Sequence, residues 1–155
     1  MDNYPYSLTD TIESLEYALS YNEKNTMAIC LMGRIYAEQL MDYETAKDYF
    51  SEALSYNIHA LEVYPHYIQT LILNEDFAEA EKLIDFAMTV KGMDKVTILL
   101  KKVWMKEVLR DFKMAKEILK EIKLMNCHDG NNLILEEFHK RINSKIEKKK
   151  RKKSK

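Results

Sequence analysis

Large and small apolar residues fall at spacings of three and four along this chain, and the same set comes round four times. Tyr43, Ala46, Phe50 and Ala53 form one copy; Leu8, Thr11, Leu15 and Ala18 stand 35 residues before it, and Phe77, Ala80, Ile84 and Ala87 stand 34 after it. Phe112, Ala115, Leu119 and Ile122 follow a further 35 residues on. At about 100° per residue, offsets of 0, 3, 7 and 10 lie within about 80° on a helical wheel, so each set is the buried stripe of a helix, here called a B helix. Between B helices lie second helical patterns, the A helices, over residues 26–40, 60–73 and 94–109. The breaks are short. Met41-Asp42, Asn74-Glu75-Asp76 and Arg110-Asp111 turn A into B, while Gly92, Asn22, Asn57 and Asn126 suit the left-handed conformation that ends a B helix. The five letters Ala-Leu-Ser-Tyr-Asn occur at 18–22 and again at 53–57, with the Ala as a close-contact residue and the Asn as the stop.

A repeat of 34 or 35 residues made of two helices indicates stacked hairpins, in which each unit buries its apolar face against the next. The residues resemble the tetratricopeptide repeat family: a small residue within helix A (Gly33), an aromatic near its end (Tyr36), then Tyr43, Ala46, Phe50 and Ala53 along helix B. The resemblance implies an all-α fold, a right-handed solenoid of antiparallel helix pairs, with about three repeats plus flanking helices. Its expected extent is 1–127, divided into a half repeat at 7–22 and repeats at about 26–57, 60–91 and 94–126. A capping helix is expected over 131–147, where Leu135, Phe138, Ile142 and Ile146 form a stripe and Glu136, Lys140 and Arg141 face water. Departures from the family pattern are specific. Ile68 and Val103 replace the small residue of Gly33, Lys102 and Lys106 stand at apolar positions, and Pro65 falls in the first turn of an A helix, where no backbone donor is needed.

In this family the inner face of the A helices lines a groove for a peptide or a partner's helix. Carried over residue by residue, that face comprises Met27, Cys30, Arg34 and Glu38, then Glu62, Pro65, Gln69 and Leu73, then Thr97, Leu100, Trp104 and Val108. The Lys and Asn set with which some members clamp a terminal carboxylate is missing. Arg34 remains able to take a carboxylate, and Trp104 to anchor an apolar side chain or to fill the core.

Composition supports helices with short turns: 46% of residues are hydrophobic and 32% charged, with three glycines and two prolines. Cys30 and Cys127 stand far apart without metal spacing, which fits free thiols in a reducing, cytoplasmic setting. The formal charge is −1, but residues 139–155 hold ten Lys or Arg against Glu147, giving +9 and leaving −10 on the rest. On this reading nucleic acid is reachable through the tail alone. That tail, 148–155, contains Lys148, Lys149, Lys150, Arg151, Lys152 and Lys153, a like-charge run expected to be disordered, and an import signal if the cell is nucleated.

Catalytic signals are thin. His59, Glu62 and His66 have spacings of 3 and 4 but lack a fourth ligand, and Cys127-His128-Asp129 is adjacent in sequence only. No metal site, cofactor or enzyme activity is expected. The sequence reads as a non-catalytic scaffold that binds a protein or peptide in a groove; the alternative is an adaptor whose basic tail anchors it to nucleic acid or an anionic surface.

Overall fold

Several helices begin at a side chain that accepts hydrogen bonds from the free backbone donors of a first turn. In the computed structural model, which describes residues 7–125 and 132–153, the Asp10 N–H donates to Ser7 Oγ and the Ser7 N–H to Asp10 Oδ2, both at 3.1 Å. This reciprocal pair opens α1 (Leu8–Tyr21). Asn25 caps α2 (Thr26–Glu38) through Ala28, Asp42 caps α3 (Tyr43–Tyr56) through Thr45, and Asp94 caps α6 (Lys95–Val108) through Val96 and Thr97. Asp111 accepts from the Met114 N–H at 3.2 Å at the start of α7 (Phe112–Met125). Two starts differ. Glu62 offers no side-chain cap to α4 (Val63–Leu73), and Asp76, ahead of α5 (Phe77–Ala87), turns its carboxylate to Lys47 Nζ at 2.6 Å instead. The last helix is α8 (Asn132–Lys153), and the described residues contain helices and no strand.

The turns correct the expected left-handed positions. Asn22 and Asn57 have φ of −144° and −149°, which is extended backbone. They stop their helices by another route: each N–H bonds back to Ala18 or Ala53, and each side-chain oxygen accepts the N–H two residues on, from Lys24 or His59. The repeated five letters thus build the same turn twice. Positive φ falls at the A-to-B turns, on Met41 (54°), Glu75 (62°) and Arg110 (59°), and on Gly92 (86°). After two of these turns the next amide reaches back five residues, Asp76 to Leu71 and Asp111 to Lys106, which satisfies carbonyls at the end of the A helix. Two boundaries also differ. The second A helix starts at Val63 rather than residue 60, with Pro65 in its first turn. The last helix runs through the basic segment to Lys153, where disorder was expected from residue 148. Asn126, Cys127, His128, Asp129 and the chain's two ends at 1–6 and 154–155 lie outside the described residues.

The chain divides into two compact units at Met93 and Asp94. In the first, α1 packs on α2, α2 on α3, α3 on α4 and α4 on α5, and α2 also touches α4. α2 and α3 approach closely at Gly33. Phe50 is fully buried against Gly33, where an added Cβ would stand 2.8 Å from Phe50 Cε1. Ring contacts extend this core, with Tyr36 stacked on Tyr49 at 5.3 Å and Phe50 facing Tyr67 at 5.7 Å. Ala46, Phe50, Ala53, Ala80, Ile84 and Ala87 are all buried, so the stripes of α3 and α5 pack inward, whereas α1 departs from the expectation: Leu8 and Thr11 are exposed and Leu15 and Ala18 half-buried. In the second unit α6 packs on α7 and α7 on α8, burying Val103, Ala115, Leu119, Ile122, Leu135 and Ile142.

Candidate partner-binding surface

The outer ends of α2 and α4 leave a cleft of about 300 Å³ between them. Its apolar parts come from Ala37, Phe50 and Leu73, and its polar lining from Glu38, His66 and Gln69. The arrangement follows from helix geometry: Glu38 lies at the end of α2, while His66, Gln69 and Leu73 lie at spacings of three and four along α4. A smaller cleft of about 190 Å³ lies between α1 and α2, lined by Thr11, Leu15, Arg34 and again Glu38. Between the two runs a polar line. Arg34 Nε donates to Glu38 Oε1 at 3.4 Å, and the same oxygen stands 3.7 Å from His66 Nδ1. Chemically this is a ridge of partly exposed polar side chains beside an apolar floor.

Of the expected groove residues, the structure brings Glu38, Gln69 and Leu73 around one cleft and places Arg34 on its neighbour. Met27 is 61% exposed. Glu62 is exposed at the N-cap of α4, and Pro65 is half-buried. Cys30 is a correction. It is 4% exposed within the α2–α3 core, beside Ile29 and Phe50, and burial pushes its thiol up to about 11. Such a thiol packs as a small apolar group and presents nothing to a partner. On α6, in the second unit, the Thr97 hydroxyl donates to Asp94 Oδ2 at 2.6 Å as part of the cap, Leu100 and Trp104 are half-buried, and Val108 is exposed. Met41, Tyr43, His66 and Thr70 also line the larger cleft and were not assigned to it from sequence. His66 had shown itself only through its spacing from His59 and Glu62. That trio does not share a helix, because α4 begins after Glu62, and among the described residues no group of three His, Cys, Asp or Glu is placed to hold a metal.

A second polar constellation joins α6 to α8. Glu107, with its side chain 2% exposed, receives three hydrogen bonds from Arg141, one of them from Nη2 at 2.7 Å, and a further contact from Lys145 Nζ at 2.7 Å. Burial acts to raise the Glu107 carboxyl, but the hydrogen bonds from Arg141 and Lys145 outweigh it and hold the group below its ordinary value. Arg141 therefore does not simply face water as its polar neighbours suggested. A signal was present: Glu107 stands 35 residues after Ile72, which is 35 after Ala37, and both of those are buried.

Among the described residues no helix is long and apolar enough to cross a membrane. Comparison with protein-family models gives no match, and comparison with curated proteins gives none.

Proposed function

We propose that this chain is a non-catalytic scaffold of tetratricopeptide-like helical hairpins that holds a peptide or a partner's helix against the α2–α4 side of its N-terminal unit. The observation that carries this reading is the cleft with Met41 and Leu73 as exposed apolar surface and Glu38, His66 and Gln69 as polar lining. An interface of this kind draws affinity from a few apolar anchors and specificity from the charged rim. The 34- and 35-residue recurrence of the A-to-B turns, with Asp42, Asp76 and Asp111 each following a left-handed residue, supports successive hairpins of one design. The free, buried thiol of Cys30 fits a reducing, cytoplasmic compartment.

The test is selection of binding peptides from a displayed library on the intact chain, followed by titration of a selected peptide against variants. Leu73→Asp and Arg34→Glu each weaken binding at least about tenfold, the size of a moderate interface contact. Glu52→Lys, on the exposed side of α3, leaves it unchanged. Selected peptides that bind both cleft variants as tightly as the parent place the interface elsewhere.

A further inference from the structure

The charge asymmetry divides at the unit boundary, with most of the positive excess in 148–155 and a smaller one, 12 basic against 9 acidic side chains, in 94–147. Residues 1–93 hold 16 acidic and 5 basic side chains, and residues 94–155 hold 9 acidic and 19 basic, so the units carry −11 and +10. Seven of those basic residues lie in 148–155, and twelve do not. Lys113, Lys116 and Lys120 fall at offsets of 0, 3 and 7 on α7, in one line along the helix, with Glu117 and Glu121 to one side. Lys113 and Lys120 are exposed and Lys116 is half-buried.

On α8 the helix carries six consecutive basic residues, 148–153. At a rise of about 1.5 Å per residue, those six basic residues fall within about 9 Å of helix axis, a local concentration of positive charge of the kind that attracts a polyanion. The root of this segment is fixed: Ile142 is fully buried, and Arg141 and Lys145 bind Glu107. Lys148 and Arg151 are exposed beyond it.

The occupant follows from spacing and composition. α8 has no apolar residue after Ile146 to insert between lipids, so an anionic bilayer would hold this segment by charge alone, and the vesicle arm of the experiment tests for it. The acidic unit of a second copy spreads its −11 over 93 residues, a lower density than a phosphate backbone offers. We propose that the C-terminal unit binds the phosphate backbone of nucleic acid, without base selectivity, through Lys113, Lys116 and Lys120 of α7 together with the basic end of α8. The proposed contacts thus extend beyond the tail to α7 of the same unit.

The experiment is fluorescence anisotropy of a labelled mixed-sequence oligonucleotide, single-stranded and duplex, titrated with the full chain. Neutralising about six phosphates predicts an affinity loss of about 1,000-fold between roughly 50 and 200 mM salt. Removal of residues 148–155 weakens binding at least about tenfold and leaves a measurable remainder. The triple change Lys113→Glu, Lys116→Glu and Lys120→Glu in the full chain also weakens it at least about tenfold; should that variant lose helical content, Lys113→Ala with Lys120→Ala, both exposed, carries the test with a smaller loss. No binding at low salt overturns the proposal, as does salt-insensitive binding. Binding unaffected by the α7 changes assigns the contact to the tail alone and overturns it too. Capture by vesicles containing phosphatidylserine without nucleic-acid binding, or a salt-sensitive dimer that excludes the oligonucleotide, replaces it with a membrane or a second copy.

Discussion

Gly33 and Gly92 are glycines for different reasons, one steric and one conformational. At Gly33 the Phe50 ring occupies the place of a side chain, so Gly33→Leu forces α2 and α3 apart and costs more than about 2 kcal/mol, read as a lowered denaturation midpoint. An unchanged midpoint removes Gly33 from that contact. Gly92 has φ of 86°, which an L side chain adopts with difficulty. The reason for Gly33 was legible, because a helix-breaking residue inside an apolar pattern demands a packing cause. Cys30 was misassigned for an equally physical reason. The resemblance places it on the inner face, but in the fold it is buried in a cluster with Ile29, Ala37, Phe50, Ala60 and Val63. Glu107 escaped notice because a carboxylate reads as exposed until its two cations, 34 and 38 residues away, are brought to it. Its carboxyl is held below the ordinary 4.5, so its stabilisation is present above that pH and is lost as pH falls through the lower folded value. Glu107→Gln therefore destabilises at neutral pH by on the order of 2 kcal/mol, less than a fully enclosed pair because Arg141 and Lys145 are half exposed. The deficit shrinks as the medium is acidified past the folded pKa, and denaturation at several pH values tests it: a difference independent of pH removes the ionised carboxylate as its cause.

At the level of helices and turns, periodicity fixed where most elements lie, while their ends depended on hydrogen-bonding choices that several residues could make. Asn22 and Asn57 do stop helices, yet by accepting an N–H rather than by turning left-handed, and both routes have the same sequence signature. The basic end of α8 was expected to be disordered from charge repulsion alone. Helix propagation adds residues to an existing nucleus cheaply, and α8 has one, seated by Leu135, Ile142 and the Glu107 contacts. The three aspartates after the A helices separate local capping from longer-range fastening. Asp42→Ala and Asp111→Ala each lose a cap and cost about 1 kcal/mol. Asp76→Ala costs more, although it caps nothing, because its carboxylate joins Lys47 of α3 to Asn74 and leaves Lys47, 17% exposed, with Glu44 alone as counter-charge. Denaturant midpoints of the three variants rank them; equal losses make Asp76 an ordinary cap.

Across the whole molecule, the repeat was legible and the division of the chain was not, because the pattern 0, 3, 7 and 10 runs on past Met93 without a break. Two units held together mainly within themselves need not unfold in one step. The sequence supplies a probe that distinguishes them. Trp104 is the sole tryptophan and sits half-buried on α6, in the second unit, whereas far-ultraviolet circular dichroism reports every helix. Gly33→Leu acts on the α2–α3 contact, and Glu107→Gln on the α6–α8 contact. In a denaturant titration, Glu107→Gln lowers the midpoint of the Trp104 signal, while Gly33→Leu lowers the midpoint seen by circular dichroism and leaves that of Trp104 within error of the parent. Native-state hydrogen exchange then shows the loss of protection confined to the mutated unit in each case. If Gly33→Leu moves the Trp104 midpoint as far as the dichroism midpoint, the chain unfolds as one cooperative body, and the boundary at Met93 divides contacts without dividing stability.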